Sequence, residues 1–244
     1  MLTAEEKLQI KRIEDTYYMV PILQKVKAKI QEHGTIKALD YIHEILISSK
    51  DDVEKMLDVR IRNKEITDKS QARKSIAGSA FSNILQYIFL KCKEKNKVHN
   101  DIFITNKTRD RLFENMVTIH VDGETQKPDM DLIIYSKDAG KLKRCMIISL
   151  KTSLRERAGQ TYKWKLLLEI ATGSNEVKSK YNIDYKAEKM PLVCFATVNF
   201  YNEINNPQHR GMFKFFDKSF IGKPIKADFI SNLSSIVDYV NSSL

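Results

Sequence analysis

Asp129 and Lys151 are the residues from which chemistry is most readily built. The segment "QKPDMDLIIY" sets Asp129 behind Pro128 at the start of a β-prone run, and the apolar run "CMIISLK" ends on Lys151. Two-residue alternation puts Asp129, Asp131 and Ile133 on one face of the first strand, and Ser149 and Lys151 together on one face of the second. Joined as a hairpin through "SKDAGKLKR", the strands bring Asp129 and Lys151, 22 positions apart, to the same end of a sheet. A carboxylate and an ammonium converging there suit phosphodiester hydrolysis. The carboxylate holds Mg²⁺ through hard oxygen ligation, the metal polarises the phosphate and acidifies a bound water, and the lysine orients that water or offsets developing negative charge. The same two residues also read as a turn cap and a solvated strand end, because Pro-Asp is a common turn signal.

The residues after Lys151 bear on that choice. In "KTSLRER" an apolar strand runs directly into Arg155, Glu156 and Arg157. Burying ionised groups without partners is costly, so such a strand end faces water, a metal or a polyanion. Arginine pairs bidentately with guanine O6 and N7 in the major groove, and glutamate accepts from cytosine N4. An Arg-Glu-Arg triplet therefore suits consecutive G·C pairs. Without Asp129 and Lys151 nearby, a surface ion-pair cluster would be the preferred reading.

The elements that must position these groups read as helices first and strands later. Thr3 with Glu6 makes a capping box, Pro21 opens "PILQKVKAKIQEHG" up to Gly34, and Thr35 is expected to cap "IKALDYIHEILISS". "DDVEKMLDVRIRN" comes next, and then a long amphipathic helix, "SQARKSIAGSAFSNILQYIFLKCKEKN". From about Val98 strands are expected in "DIFIT", "MVTIHV", "DMDLIIY", "RCMIISL" and "LVCFATVNF". Helices are expected after Arg157, near Asn175 to Tyr181, and in "DFISNLSSIVDYVNSS" at the C-terminus. This order predicts an α/β fold, a mixed sheet with helices on its faces, with a helical N-terminal subdomain over 1–69 and a further domain over 70–244.

Composition narrows the partners. The 244 residues carry 41 Lys plus Arg against 31 Asp plus Glu, a formal net charge of +10, which favours polyanions through counterion release. No apolar run approaches the roughly 20 residues that span a bilayer, and the N-terminus reads as a charged helix, so a cytoplasmic protein with no membrane partner is expected. Cys92, Cys145 and Cys194 are isolated in apolar surroundings and read as reduced core residues; His33, His43, His99, His120 and His209 are scattered without zinc-site spacing. Glycine-rich phosphate loops are missing, so no nucleotide cofactor is expected, and a nucleophile elbow is missing too.

Taken together, Pro128-Asp129, Ser149-Leu150-Lys151 and Lys151 with Arg155-Glu156-Arg157 behind it resemble a type II restriction endonuclease of the PD-(D/E)XK superfamily. The resemblance points to the branch recognising CCGG or CCNGG cores, which includes BsaWI-like and EcoRII-like enzymes. A looser likeness lies in "SQARKSIAGSAF", where Arg73 and Lys74 would touch phosphate or bases. The similar segments run from about Ser70 to Glu169. Two departures stand out. Ser82 follows Phe81 where relatives often have glutamate, and Trp164 and Lys165 stand where a metal-binding glutamate tends to come from the next helix.

Because Ser149 occupies the usual acidic strand position, a second carboxylate must come from elsewhere; Glu169 is the first candidate and Asp131 the second. Gln160, in "QTYKW", is a further candidate for the site. The resemblance implies a restriction-endonuclease-like mixed five-stranded sheet and Mg²⁺-dependent, site-specific cleavage of double-stranded DNA, leaving 5′-phosphate and 3′-hydroxyl ends. Asp129 would bind metal, Lys151 would act on the water, and Arg155, Glu156 and Arg157 would read the core. Palindromic sites imply a homodimer, with a tetramer as the next assembly. The alternatives are a PD-(D/E)XK nuclease of repair or recombination, and a DNA-binding protein with a decayed centre.

Overall fold

A computed structural model describes residues 1–154 and 158–244, apart from the side chains of Ala158 and Gln160. The N-terminal region is helical: α1 (Ala4–Glu14), α2 (Met19–His33), α3 (Ile42–Ser48), α4 (Lys50–Arg62) and the long α5 (Lys69–Glu94). The Thr3 capping box forms as expected, with Glu6 N–H donating to Thr3 Oγ1 and Thr3 N–H to Glu6 Oε2. Pro21 is the third residue of α2 rather than its first. That is tolerated because no N–H of a first turn has a helical partner. Thr35 caps nothing: its hydroxyl accepts from Lys95 Nζ at 2.8 Å, and a 3₁₀ turn over Lys37–Tyr41 precedes α3.

The strands come next: β1 (Ile102–Thr105), then α6 (Glu114–Val117), β2 (Ile119–Val121), β3 (Glu124–Gln126), β4 (Leu132–Asp138) and β5 (Lys141–Lys151). The remainder alternates α7 (Ala158–Thr172), α8 (Glu176–Lys180), β6 (Ile183–Asp184), β7 (Leu192–Thr197), α9 (Pro207–Phe213), β8 (Lys218–Ile221), β9 (Ser231–Asn232) and α10 (Ile236–Ser243). The principal sheet has six strands in the order β1-β4-β5-β7-β8-β9. It is mixed as expected: the first two pairings are antiparallel and the remaining three parallel.

The strand inventory differs from the expected five in a definite way. "MVTIHV" supplies β2 of a separate three-stranded sheet, β3-β2-β6, because the left-handed pair Asp122 and Gly123 folds it straight back onto β3. The principal sheet is completed by β8 and β9, the latter taken from what reads as the start of the last helix.

The sheet is buried on both faces, which explains its nearly continuous apolar strands. Leu132, Ile134, Met146, Ile148 and Leu150 pack with α1–α5 and α10, so the N-terminal helices share one apolar core with the sheet. The opposite face carries Ile133, Cys145 and Ile147 under Phe113 and Val117, and Val193, Phe195 and Ile221 under α7 and α9. All three cysteines are free and buried, and burial pushes the Cys92 and Cys145 thiols up to about 12.

Candidate active site

The β4–β5 hairpin turns on Ala139 and Gly140, both with positive φ, the two-residue geometry that suits the twist of paired strands. A bulge between Ser136 and Lys137 then shifts the register by one residue, so that beyond it Leu132 lies opposite Ile148 and Ile133 opposite Ile147. Just before β4 the Asp131 N–H still donates to the Ile148 carbonyl at 3.2 Å, so the segment carrying Asp129 and Asp131 runs alongside the end of β5. On β5, Ser149 and Lys151 alternate with Ile148 and Leu150 and so lie away from α5, on the Ile147 face where Phe113 and Val117 pack.

The side chains converge accordingly. Lys151 Nζ donates to Asp129 Oδ2 and to Asp131 Oδ2, each at 3.1 Å. Leu150 N–H donates to Asp131 Oδ2 at 2.7 Å, and Ser149 Oγ donates to the Asp129 carbonyl at 3.0 Å. Ser149 is thus engaged in holding the Asp129 backbone against β5. The lysine side chain is only 10% exposed, whereas Asp129 is 66% and Asp131 34% exposed. The carboxylates open to solvent and the ammonium lies beneath them.

Charge and chemistry both suit this donor set to a divalent cation. Two carboxylates against one ammonium leave the cluster at net −1, which would repel a phosphodiester; a doubly charged cation brings it to +1. Mg²⁺ commonly takes one or two carboxylates and completes its shell with water and substrate oxygens, so Asp129 and Asp131 fit that ion. Among the described residues, no cluster of three or more His, Cys, Asp or Glu side chains forms a closed cage.

The other candidates are placed differently. Glu169 sits exposed on α7, with Lys165 Nζ 3.4 Å from its Oε1. Among the described residues, no hydrogen bond or ion pair joins it to the Lys151 cluster, so the carboxylate brought to Lys151 is Asp131. Lys165, at the position where the resemblance anticipates a glutamate, is turned into the core. Both oxygens of Asp217 lie 2.9 Å from its Nζ, and Asp217 also accepts from Val193 N–H at 2.7 Å. Arg73 on α5 is held bidentately by Glu54 of α4; that hydrogen bond raises the guanidinium pKa and lowers that of the carboxyl. Lys74 is exposed. Arg155, Glu156, Arg157 and the Gln160 side chain lie outside the described residues.

Sequence reasoning passed over a neighbouring group. The loop after β7 carries Glu203, whose Oε2 accepts from Leu154 N–H at 2.8 Å, and α9 carries Gln208 and His209. "NNPQ" was a usable signal, since Asn206 caps α9 and Pro207 is its first residue.

A mixed sheet with helices on both faces and an acid–acid–lysine cluster at its strand ends defines a restriction-endonuclease-like α/β protein. The family model of the BsaWI restriction endonuclease type 2 matches residues 93–239, more than half of the chain, and the chain belongs to that family. It is therefore a restriction endonuclease, a nuclease whose substrate is double-stranded DNA. The match includes the β4–β5 hairpin and extends through the C-terminal third that the motif resemblance left unaccounted for; it does not include Arg73 and Lys74. No curated protein matches the chain.

Proposed function

We propose that this protein is a PD-(D/E)XK-type, Mg²⁺-dependent enzyme that cleaves double-stranded DNA at a short palindrome with a G·C-rich core of the CCGG or CCNGG type. One observation carries the reading: Lys151 Nζ lies 3.1 Å from both Asp129 and Asp131 at the open end of β5. Asp129 and Asp131 would hold the metal, with Asp131 preferred over Glu169 because it already stands at the lysine. When bound, Mg²⁺ supplies Lewis-acid polarisation of the phosphate and a more acidic water.

The chain's own groups do the rest. Ser149 fixes the Asp129 backbone, and the Leu150 N–H fixes the Asp131 carboxylate. Lys151, held between the two carboxylates, orients the attacking water or offsets negative charge on the phosphate. Arg155, Glu156 and Arg157, leaving the same strand end, read G·C pairs. Arg73 reaches a phosphate only by exchanging Glu54 for it, while the exposed Lys74 can do so directly. A palindromic site requires one such centre per strand and hence a homodimer, with a tetramer as a higher assembly. Residues 1–69 form a helical subdomain fused to the catalytic domain of 70–244.

Digestion of mapped plasmid DNA tests this. Discrete fragments that appear with Mg²⁺ and vanish on chelation are expected. A smear would favour a structure-directed repair or recombination nuclease. Tight metal-independent binding without nicking would favour a DNA-binding protein with a decayed centre.

A further inference from the structure

Carboxylates of α4 cover the cations at the start of α5. Glu54 and Asp58 stand four positions apart on α4, and Lys69 and Arg73 four apart on α5, so each pair shares one helical face. Arg73 donates from Nε and Nη2 to the two oxygens of Glu54, the second bond measuring 3.0 Å. Lys69 Nζ lies 3.0 Å from Glu54 Oε2 and also pairs with Asp58. The hydrogen bond from Arg73 lowers the Glu54 pKa, which keeps that carboxyl ionised at neutral pH.

Joining the two helices does not require these pairs. Val53 and Leu57 of α4 are buried in one apolar cluster with Ile76 of α5, whereas Arg73 is 47% exposed, and ion pairs in such surroundings contribute little to stability. What they decide is which anion the cations hold, because a guanidinium fork fits a carboxylate and a phosphate in the same bidentate way. In residues 1–69 Lys and Arg are matched one for one by Asp and Glu, so the whole excess of +10 resides in 70–244, and α4 sets its carboxylates at the margin of that basic part. The far end of α5 is fixed near the β4–β5 turn: Lys93 Nζ donates to the carbonyl of Ile102, which pairs with Ser136. Arg73 precedes Lys93 by about 30 Å along the helix axis and so lies away from that turn, as Asp129 and Lys151 do.

We propose that Glu54, with Asp58 beside it, is an internal substitute for DNA phosphate: it occupies Arg73 and Lys69 until the backbone is exchanged for it, and thereby holds down the affinity for duplex DNA of any sequence. The inference rests on the preceding assignment of Arg73 to a phosphate. The exchange costs the same on every sequence, so it weakens retention on bulk DNA and leaves the ratio between cognate and altered sites unchanged.

The test is equilibrium binding of the full chain to two short duplexes, one with and one without a mapped cleavage site, without Mg²⁺ and at fixed salt. Glu54→Gln keeps the shape and removes the charge, and is expected to tighten binding to both duplexes by about three- to tenfold. Adding Arg73→Gln to that chain is expected to cancel most of the gain. Asp51→Asn removes one negative charge from the exposed start of α4 without touching Arg73, and its gain is expected to stay below about twofold. If Glu54→Gln binds no more tightly than the wild type, or Asp51→Asn tightens binding as much, this inference is overturned, while a loss of affinity on Arg73→Gln alone keeps Arg73 as a phosphate contact. If Arg73→Gln changes nothing in either background, the phosphate assignment and this inference fall together.

Discussion

Two lysine–carboxylate clusters in this molecule use the same functional groups to opposite ends. Lys93 of α5 is wholly buried and Glu6 of α1 nearly so, at 0% and 4% side-chain exposure. Its ammonium donates to Glu6 Oε1 and to the Ile102 carbonyl, both at 2.6 Å, and lies 4.0 Å from the centroid of the Phe103 ring. That pair is buried and charge-matched, and Glu6 Oε2 also accepts from the Thr3 N–H. At Lys151 one ammonium faces two carboxylates, the sum is negative, and Asp129 is 66% exposed. Burial with matched charge fixes α1 against α5 and β1. Openness with excess negative charge leaves oxygen atoms for a cation and a substrate.

The sharpest way to break the comparison is at the buried pair. Lys93→Met strands the Glu6 carboxylate in the core and should cost about 3–5 kcal/mol in urea unfolding, with much of it restored by adding Glu6→Leu. A small loss would show that the pair is not the clamp its burial implies. Lys151→Ala should do the reverse. We expect cleavage to fall about a hundredfold or more, while unfolding free energy moves by no more than about 1 kcal/mol and specific binding persists. A large stability loss there would erase the distinction between the two clusters.

Smaller effects sharpen it. Arg157→Ala should remove roughly 1–3 kcal/mol of discrimination against altered core bases, measured as binding to cognate and mismatched duplexes. An equal loss for every sequence would argue against base reading. Thr3→Ala deletes the cap that shares Glu6 with Lys93 and should cost about 1 kcal/mol in thermal unfolding. A much greater loss would mean that the cap also orients the buried carboxylate.

The meeting of Asp129 with Lys151 was legible in part. Alternation and a hairpin bring them to one end of the sheet, but the bulge between Ser136 and Lys137, which shifts the register by one residue, is a feature of the paired strands that spacing does not give. The ranking of the second carboxylate was not legible. Glu169 and Asp131 are equally acidic on paper, and only the fold sets Asp131 3.1 Å from Lys151 while Glu169 faces Lys165. Ser149 stands where the resemblance expects an acid, and its hydroxyl is spent on the Asp129 carbonyl, a contact that exists only once the strands pair.

By itself, then, the amino-acid order determined the helix-to-strand succession, the capping box at Thr3, the common strand end of Asp129 and Lys151, and the family likeness of the strand ends, because each is written within one element or one hairpin. The tertiary structure decided the small sheet that claims "MVTIHV", the tie from Leu154 through Glu203 to α9, and the burial of Lys93 on Glu6, 87 residues away. Those outcomes depend on which surfaces lose water together, and that competition is settled only when the whole core closes.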